Sequence, residues 1–244
     1  MWIDAGSYLL SCFILSSLRY EKSLDIEKAK EPFMANMAAG AIYFRKHPWR
    51  FWFLLATLMP FIIIMVTNYV FPIYVNQVLE AAGDVYGMSE LLLAMGAMTA
   101  GWLIPLLVKR FQEVKLICIT MGVFLAGSII MLGLPNTPVF LGVAILLGFG
   151  NAGSRVLRNT LLMKWVPKNR IGRVHAVLRV IGLGIRIILI GLFTEVIHRT
   201  SIFPVFIVFV SLIGVSLLVV INCSKFNHTY NSVQGLQESV KPPR

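Results

Sequence analysis

From Phe51 to Ile221 the chain is a succession of apolar runs about twenty residues long, with short turns between them. About 20 mostly apolar residues is what an α-helix needs to cross the hydrocarbon core of a bilayer. In that medium every backbone N–H and C=O must find its partner inside the protein, so only helices and closed barrels can span it. A barrel strand would alternate polar and apolar residues, and these runs do not. The expected fold is therefore all-α, a polytopic membrane helix bundle of about seven transmembrane helices. The first run, Trp2–Leu18, is short. The others are Phe51–Phe71 with an extension to Val78, Met88–Val108, Val114–Leu134, Val139–Met163, Val174–Ile197 and Ile202–Ile221.

Composition supports this and excludes other classes. Hydrophobic residues make up 57% of the 244 residues and charged ones only 14%, against about 25% charged in soluble domains. A net charge of +11 suggests nucleic acid at first sight, but the basic residues sit in short loops between apolar runs, where they set membrane orientation. No nucleic-acid partner is expected. Cys12, Cys118 and Cys223 lie far apart, and His47, His175, His198 and His228 are isolated. That pattern contains neither a disulfide framework nor a metal-ligand spacing, so no metal, cofactor or catalytic residue is expected.

The loops sort by charge. Arg19–Arg50 carries seven Lys or Arg, the turn near Val108 carries Lys109, Arg110 and Lys115, and the turn after Met163 carries Lys164, Lys168, Arg170 and Arg173. The alternate loops, Pro72–Gly87 and Pro135–Pro138, carry none, and the one near Ser201 has only Arg199. The positive-inside rule places the basic loops and the C-terminus in the cytoplasm of a multi-pass cell-membrane protein, and Met1 outside. No basic residue precedes the first run, so it lacks the charged leader of a signal peptide. The expectation is a chain that starts inside a larger architecture, with one leftover helix and then a unit of six.

This gives four segments: 1–18, the last helix of a preceding half; 19–50, a cytoplasmic linker between halves; 51–222, a six-helix half; and 223–244, a cytoplasmic tail. The linker mixes signs, from Glu21 to Glu31, which suggests a short surface helix ending near Pro32. Phe33–Phe44 has the pattern of a helix lying in the membrane interface. The tail is polar and ends in Lys241-Pro242-Pro243-Arg244, a composition that favours disorder.

The chemistry concentrates between Gly148 and Phe193. Here two apolar runs flank a basic turn, and arginines continue into the runs as Arg155, Arg158, Arg179 and Arg186. An intramembrane charge is costly and normally faces a bundle interior or a water-filled cavity. Arg186 lies midway along its run. Arg179 is seven residues earlier, two turns away on the same face, with Gly182 between them. These two form a basic stripe that would meet an anionic group or a carboxylate, and the competing readings are a snorkelling Arg179 and a structural ion pair for Arg186. Arg158 reads as snorkelling or as capping the basic turn, which leaves Arg155 as the better pathway residue of that pair, with Asn151 one turn away. Glu195 and Asp4 are the candidates for a proton relay, against a plain role as solvated interface carboxylates.

Small residues recur at helical spacing: Ala144, Gly148 and Ala152 every four, Gly184 and Gly191 at seven, and Gly96 to Gly101 as a cluster. Close helix packing is the direct reading, and bending at the cluster the functional one. Pro60 with Thr57, and Pro72 with Asn68 and Tyr69, mark kinks in the second run, because proline frees a carbonyl that neighbours must re-satisfy.

Gly148-Phe149-Gly150-Asn151, then Leu157-Arg158-Asn159-Thr160-Leu161, then Pro167 with Gly172-Arg173, resemble the tenth helix, cytoplasmic turn and eleventh helix of the major facilitator superfamily of secondary transporters. The opening Trp2-Ile3-Asp4-Ala5 with Leu9-Leu10-Ser11 resembles its sixth helix. The likeness is nearest to the efflux branch that includes macrolide and enterobactin exporters. It implies a C-terminal half, helices six to twelve, without helices one to five. It also implies a proton-coupled efflux permease, an antiporter, for a drug-like or siderophore-like small molecule, with Pro167, Gly172 and Arg173 as the turn motif. The implied partners are the lipid bilayer, the small-molecule substrate, and either the missing N-terminal half or a second copy of the chain. A truncated, non-transporting membrane protein that only associates with others is the alternative, followed by a seven-helix receptor. An enzyme is the least expected.

Overall fold

The computed structural model describes residues 2–17, 33–167 and 170–239. It is helical throughout, without a strand among the described residues. In order, the helices are α1 (Trp2–Ser17), α2 (Phe33–Lys46), α3 (Pro48–Ala56), α4 (Met59–Gln77), α5 (Gly83–Val108), α6 (Glu113–Gly133), α7 (Thr137–Trp165), α8 (Ile171–Arg199) and α9 (Phe203–Ser239). Among the described residues, six stretches are long and apolar enough to cross a membrane: α3 with α4, α5, α6, α7, α8, and the first part of α9 to Ser224.

Residues 1–36 and 37–244 form separate compact units. In the first, α1 is an apolar helix of 16 residues, about 24 Å long at 1.5 Å per residue and so shorter than a 30 Å hydrocarbon core. The expected surface helix before Pro32 lies outside the described residues, as do Lys168 and Asn169 of the basic turn.

In the second unit α7 packs on both α5 and α6. The contact with α5 is made by glycine. A Cβ at Gly96 would overlap the Ile145 carbonyl oxygen, and one at Gly148 would overlap that of Leu93. The two backbones therefore touch, and only glycine leaves room for that. Ala144 and Ala152, on the same stripe as Gly148, are buried. Gly184, Gly191 and Gly101 have nothing within 4 Å of their Cβ positions. The close-packing reading thus holds for the Gly148 stripe and fails within this chain for the Gly184 and Gly191 pair, whose face of α8 carries exposed Leu183, Ile187 and Ile188.

The bundle end that holds Tyr74 is filled by aromatic rings. Tyr74 lies 5.7 Å from Phe140 and 5.0 Å from Phe206, centroid to centroid, and Phe193 packs on Phe209. The opposite, basic end is tied by polar contacts. Arg50 Nη1 and Tyr43 Oη both donate to the Trp165 carbonyl oxygen, at 3.0 Å each. That oxygen belongs to the last turn of α7, where helix carbonyls lack intrahelical donors. Lys164 forms an ion pair with Glu113, joining the end of α7 to the start of α6. α2 occupies the expected Phe33–Phe44 segment and runs on to Lys46. It is not merely a surface helix: Tyr43 and Phe44 are buried, and a Cβ at Gly40 would lie 2.7 Å from the Arg173 carbonyl.

Two expectations about helix continuity resolve differently. The Thr57–Pro60 kink is a full break between α3 and α4, with Pro60 in the first turn of α4, whereas Pro72 sits inside α4 without ending it. Beyond Cys223, where disorder is expected, the backbone stays helical to Ser239. No proline interrupts the chain between Pro204 and Pro242, and a polar sequence without proline can extend an existing helix because nucleation is already complete.

A candidate substrate cavity between three spans

α4, α7 and α8 enclose a cavity of about 450 Å³. From α7 come Arg155, Arg158 and Asn159, on one helical face at spacings of three and four. From α8 come His175, Arg179 and Arg186, on a stripe four and seven residues apart that also holds Gly182. α4 supplies an apolar wall that includes Phe61 and Met65. α8 approaches that wall at Gly182, where a Cβ would lie 2.8 Å from a methyl of Leu58.

The α3–α4 break explains one guanidinium. Thr57 is buried at the break, and Arg158 Nη1 donates to its carbonyl oxygen at 3.1 Å. Arg158 is only 7% exposed. It spends one of its five donors on this bond and also lines the cavity. Arg155, Arg179 and Arg186 have no carboxylate within ion-pair distance among the described residues, and the cavity lining contains no Asp or Glu.

The structure brings together Arg155, Arg179 and Arg186 and adds Arg158, Asn159 and His175 to them. Arg158 neither snorkels nor caps the turn, because it is held at the break. Its signal in the sequence is its spacing of three from Arg155; that of His175 is its spacing of four from Arg179. Asn151 is partly buried and outside the lining, and its side-chain oxygen has no hydrogen-bond partner. Glu195 is exposed near the far end of α8 and ion-paired with Arg199, apart from the cavity. Asp4 belongs to α1, in the other unit, and its side chain lies outside the described residues. Pro167 is exposed in the turn, and its carbonyl accepts the Arg170 N–H at 2.8 Å. Gly172 is exposed in the first turn of α8, and Arg173 meets α2 through its carbonyl.

A bundle of long apolar helices, with an arginine-lined cavity between three of them, defines a multi-pass membrane protein. The chain belongs to the Major Facilitator Superfamily, a family of transporters, whose model matches residues 1–188. That match spans every cavity-lining residue named above. No curated protein matches the chain.

Proposed function

We propose that this chain supplies one six-helix half of a proton-coupled efflux permease, and that the cavity between α4, α7 and α8 is its share of the substrate pathway. The single observation that carries this reading is the convergence of four arginines from two helices on one cavity whose lining contains no carboxylate. In transporters of this architecture the substrate site lies near the midplane, where two halves face one another. Arg155, Arg179 and Arg186 contact the substrate in this reading, and Asn151 lies one turn from Arg155 on α7. Residues 51–222 form the half, 19–50 link it to the preceding one, and 223–244 form a tail on the cytoplasmic side with the basic turns. Coupling runs through a carboxylate outside the cavity, with Glu195 and Asp4 the candidates on this chain. The substrate is a small molecule in the drug or siderophore size range.

The test is reconstitution of residues 1–244 in liposomes under an imposed proton gradient, alone and co-expressed with a facilitator N-terminal half. The probes are anionic, neutral and cationic fluorescent dyes. Uphill dye movement only in the co-expressed sample is the expected result. Movement by the chain alone would replace the half with a pair of copies of this chain. Absence of movement for every dye with a partner half in place would overturn the transporter reading.

A further inference from the structure

We propose that the cavity binds an amphiphilic organic anion with two acid charges and an apolar body. This rests on the pathway reading above and names the chemistry of what the pathway accepts. Four guanidinium groups line about 450 Å³, beside His175 and with no acidic side chain in the lining. Guanidinium stays ionised in proteins, so the cavity holds four positive charges in a low-dielectric setting, where unpaired charge is costly. An occupant that brings negative charge removes that cost, and a cation adds to it.

The arrangement is a strip rather than a point. Arg179 and Arg186 stand seven residues apart on α8, about 10 Å along its axis, and Arg155 and Arg158 are about 4.5 Å apart along α7, at 1.5 Å per residue. Such a strip suits two acid groups, or one doubly ionised group, better than a single carboxylate. Arginine forks bind carboxylate and phosphate oxygens in pairs. Arg158 is already oriented for this by its bond to Thr57. The facing wall of α4, with Phe61 and Met65, offers no polar side chain and receives the apolar body. The volume falls within the roughly 300–1,000 Å³ of small-molecule sites.

The experiment uses residues 1–244 in nanodiscs of phosphatidylcholine, so that no anionic lipid competes. Binding of 1-naphthyl phosphate and of naphthalene-2,6-dicarboxylate is measured by titration calorimetry. The comparison ligands are 1-naphthol, 1-naphthylmethylammonium and inorganic phosphate. Both dianions should bind, and each comparison ligand should bind at least about tenfold more weakly, as expected when a hydrogen bond to a charged group or the apolar contact is lost. Stronger binding of the phosphate or of the dicarboxylate tells which acid chemistry is preferred. Arg179→Gln and Arg186→Gln should each weaken dianion binding by roughly 10- to 100-fold, and Arg186→Lys should restore part of it. Arg110→Gln, exposed at a turn outside the cavity, should change nothing. Equal binding of the cation and the dianions, or indifference to both glutamine variants, would overturn the proposal.

A second readout separates this from the pathway reading. Leu183→Cys, at a residue that also lines the cavity, with Cys12, Cys118 and Cys223 replaced by serine, is treated with two methanethiosulfonates, one ending in sulfonate and one in trimethylammonium. Their rates are normalised to glutathione. Faster labelling by the sulfonate supports an anion site. Labelling without charge preference and without dianion binding would sink the anion proposal while leaving a water-reachable pathway. No labelling and no binding would remove both.

Discussion

Arg158 Nη1 donates to the main-chain oxygen of Thr57 across 101 residues of sequence, and so closes the break between α3 and α4 from a different helix. Pro60 lacks the N–H that would bond the Ala56 carbonyl, four residues back, and its ring crowds that carbonyl, so the helix breaks beside Thr57. A buried backbone oxygen at such a break needs a donor from elsewhere. The same guanidinium lines the cavity, so the break in the helix and the charge in the site are two sides of one arrangement.

Removal of that donor should therefore destabilise the bundle. Arg158→Leu is expected to cost about 1–3 kcal/mol, the range for leaving a buried acceptor unsatisfied, read as a loss of thermal stability in detergent. Pro60→Ala lets α3 and α4 run on as one helix, in which the Phe61 N–H reaches the Thr57 carbonyl, and should make the arginine less necessary. A double-mutant cycle should show coupling above about 0.5 kcal/mol. Strict additivity would mean that the break and Arg158 are independent.

Glycine packing gives a sharper contrast. Gly148→Ala places a methyl against the Leu93 carbonyl of α5, where backbone must move to accept it. Overpacking of this kind costs about 1–3 kcal/mol, and the variant should melt earlier and yield less monodisperse protein. Gly184→Ala meets open space and should melt with the parent or slightly above it, since alanine favours helix. Similar losses for both would contradict the α5–α7 contact.

Orientation can be read by labelling. A cysteine at Asn136, in the loop without Lys or Arg, should react with a membrane-impermeant reagent added outside cells. One at Asn169, in the basic turn, should react only after the inside is exposed. The basis is the charge bias of the loops. Labelling of the Asn169 position from outside would reverse the assignment.

His47, between α2 and α3, provides a pH test outside the spans. Burial, and then the charges of Arg50 and Lys46, hold its pKa below the usual 6.5. The unfolded state then binds more protons than the folded one as the pH falls through 6.5. Stability from this site is fully present above that value and declines as the pH drops toward the lowered folded pKa. Thermal melts of the parent should fall over this window, and His47→Gln should flatten that part of the profile.

The span ends were legible because each depends on local sequence. Val108, Gly133 and Trp165 close their helices within two residues of the expected limits, where apolar residues give way to charge or to Pro and Asn. The stripe of Arg179 and Arg186 was legible for the same reason: helical periodicity alone places them on one face. What could not be read was every contact made across the chain. Arg50 looks like one more orienting loop charge, yet it caps the Trp165 carbonyl 115 residues away. Gly184 and Gly148 look alike in sequence, and only Gly148 meets another backbone.

The amino-acid sequence by itself determined that this is an all-helical membrane protein, how many long spans it has and roughly where they end. The physical reason is that a bilayer forces each helix to satisfy its own hydrogen bonds, so the information is local. Only the tertiary structure decided that Arg158 shares a cavity with Arg155, Arg179 and Arg186, and that α4 forms its apolar wall. It also left Glu195 outside, paired with Arg199. Those outcomes depend on which faces of separate helices meet, which is set by steric fit at positions such as Gly148 and Gly182 and by the break at Thr57.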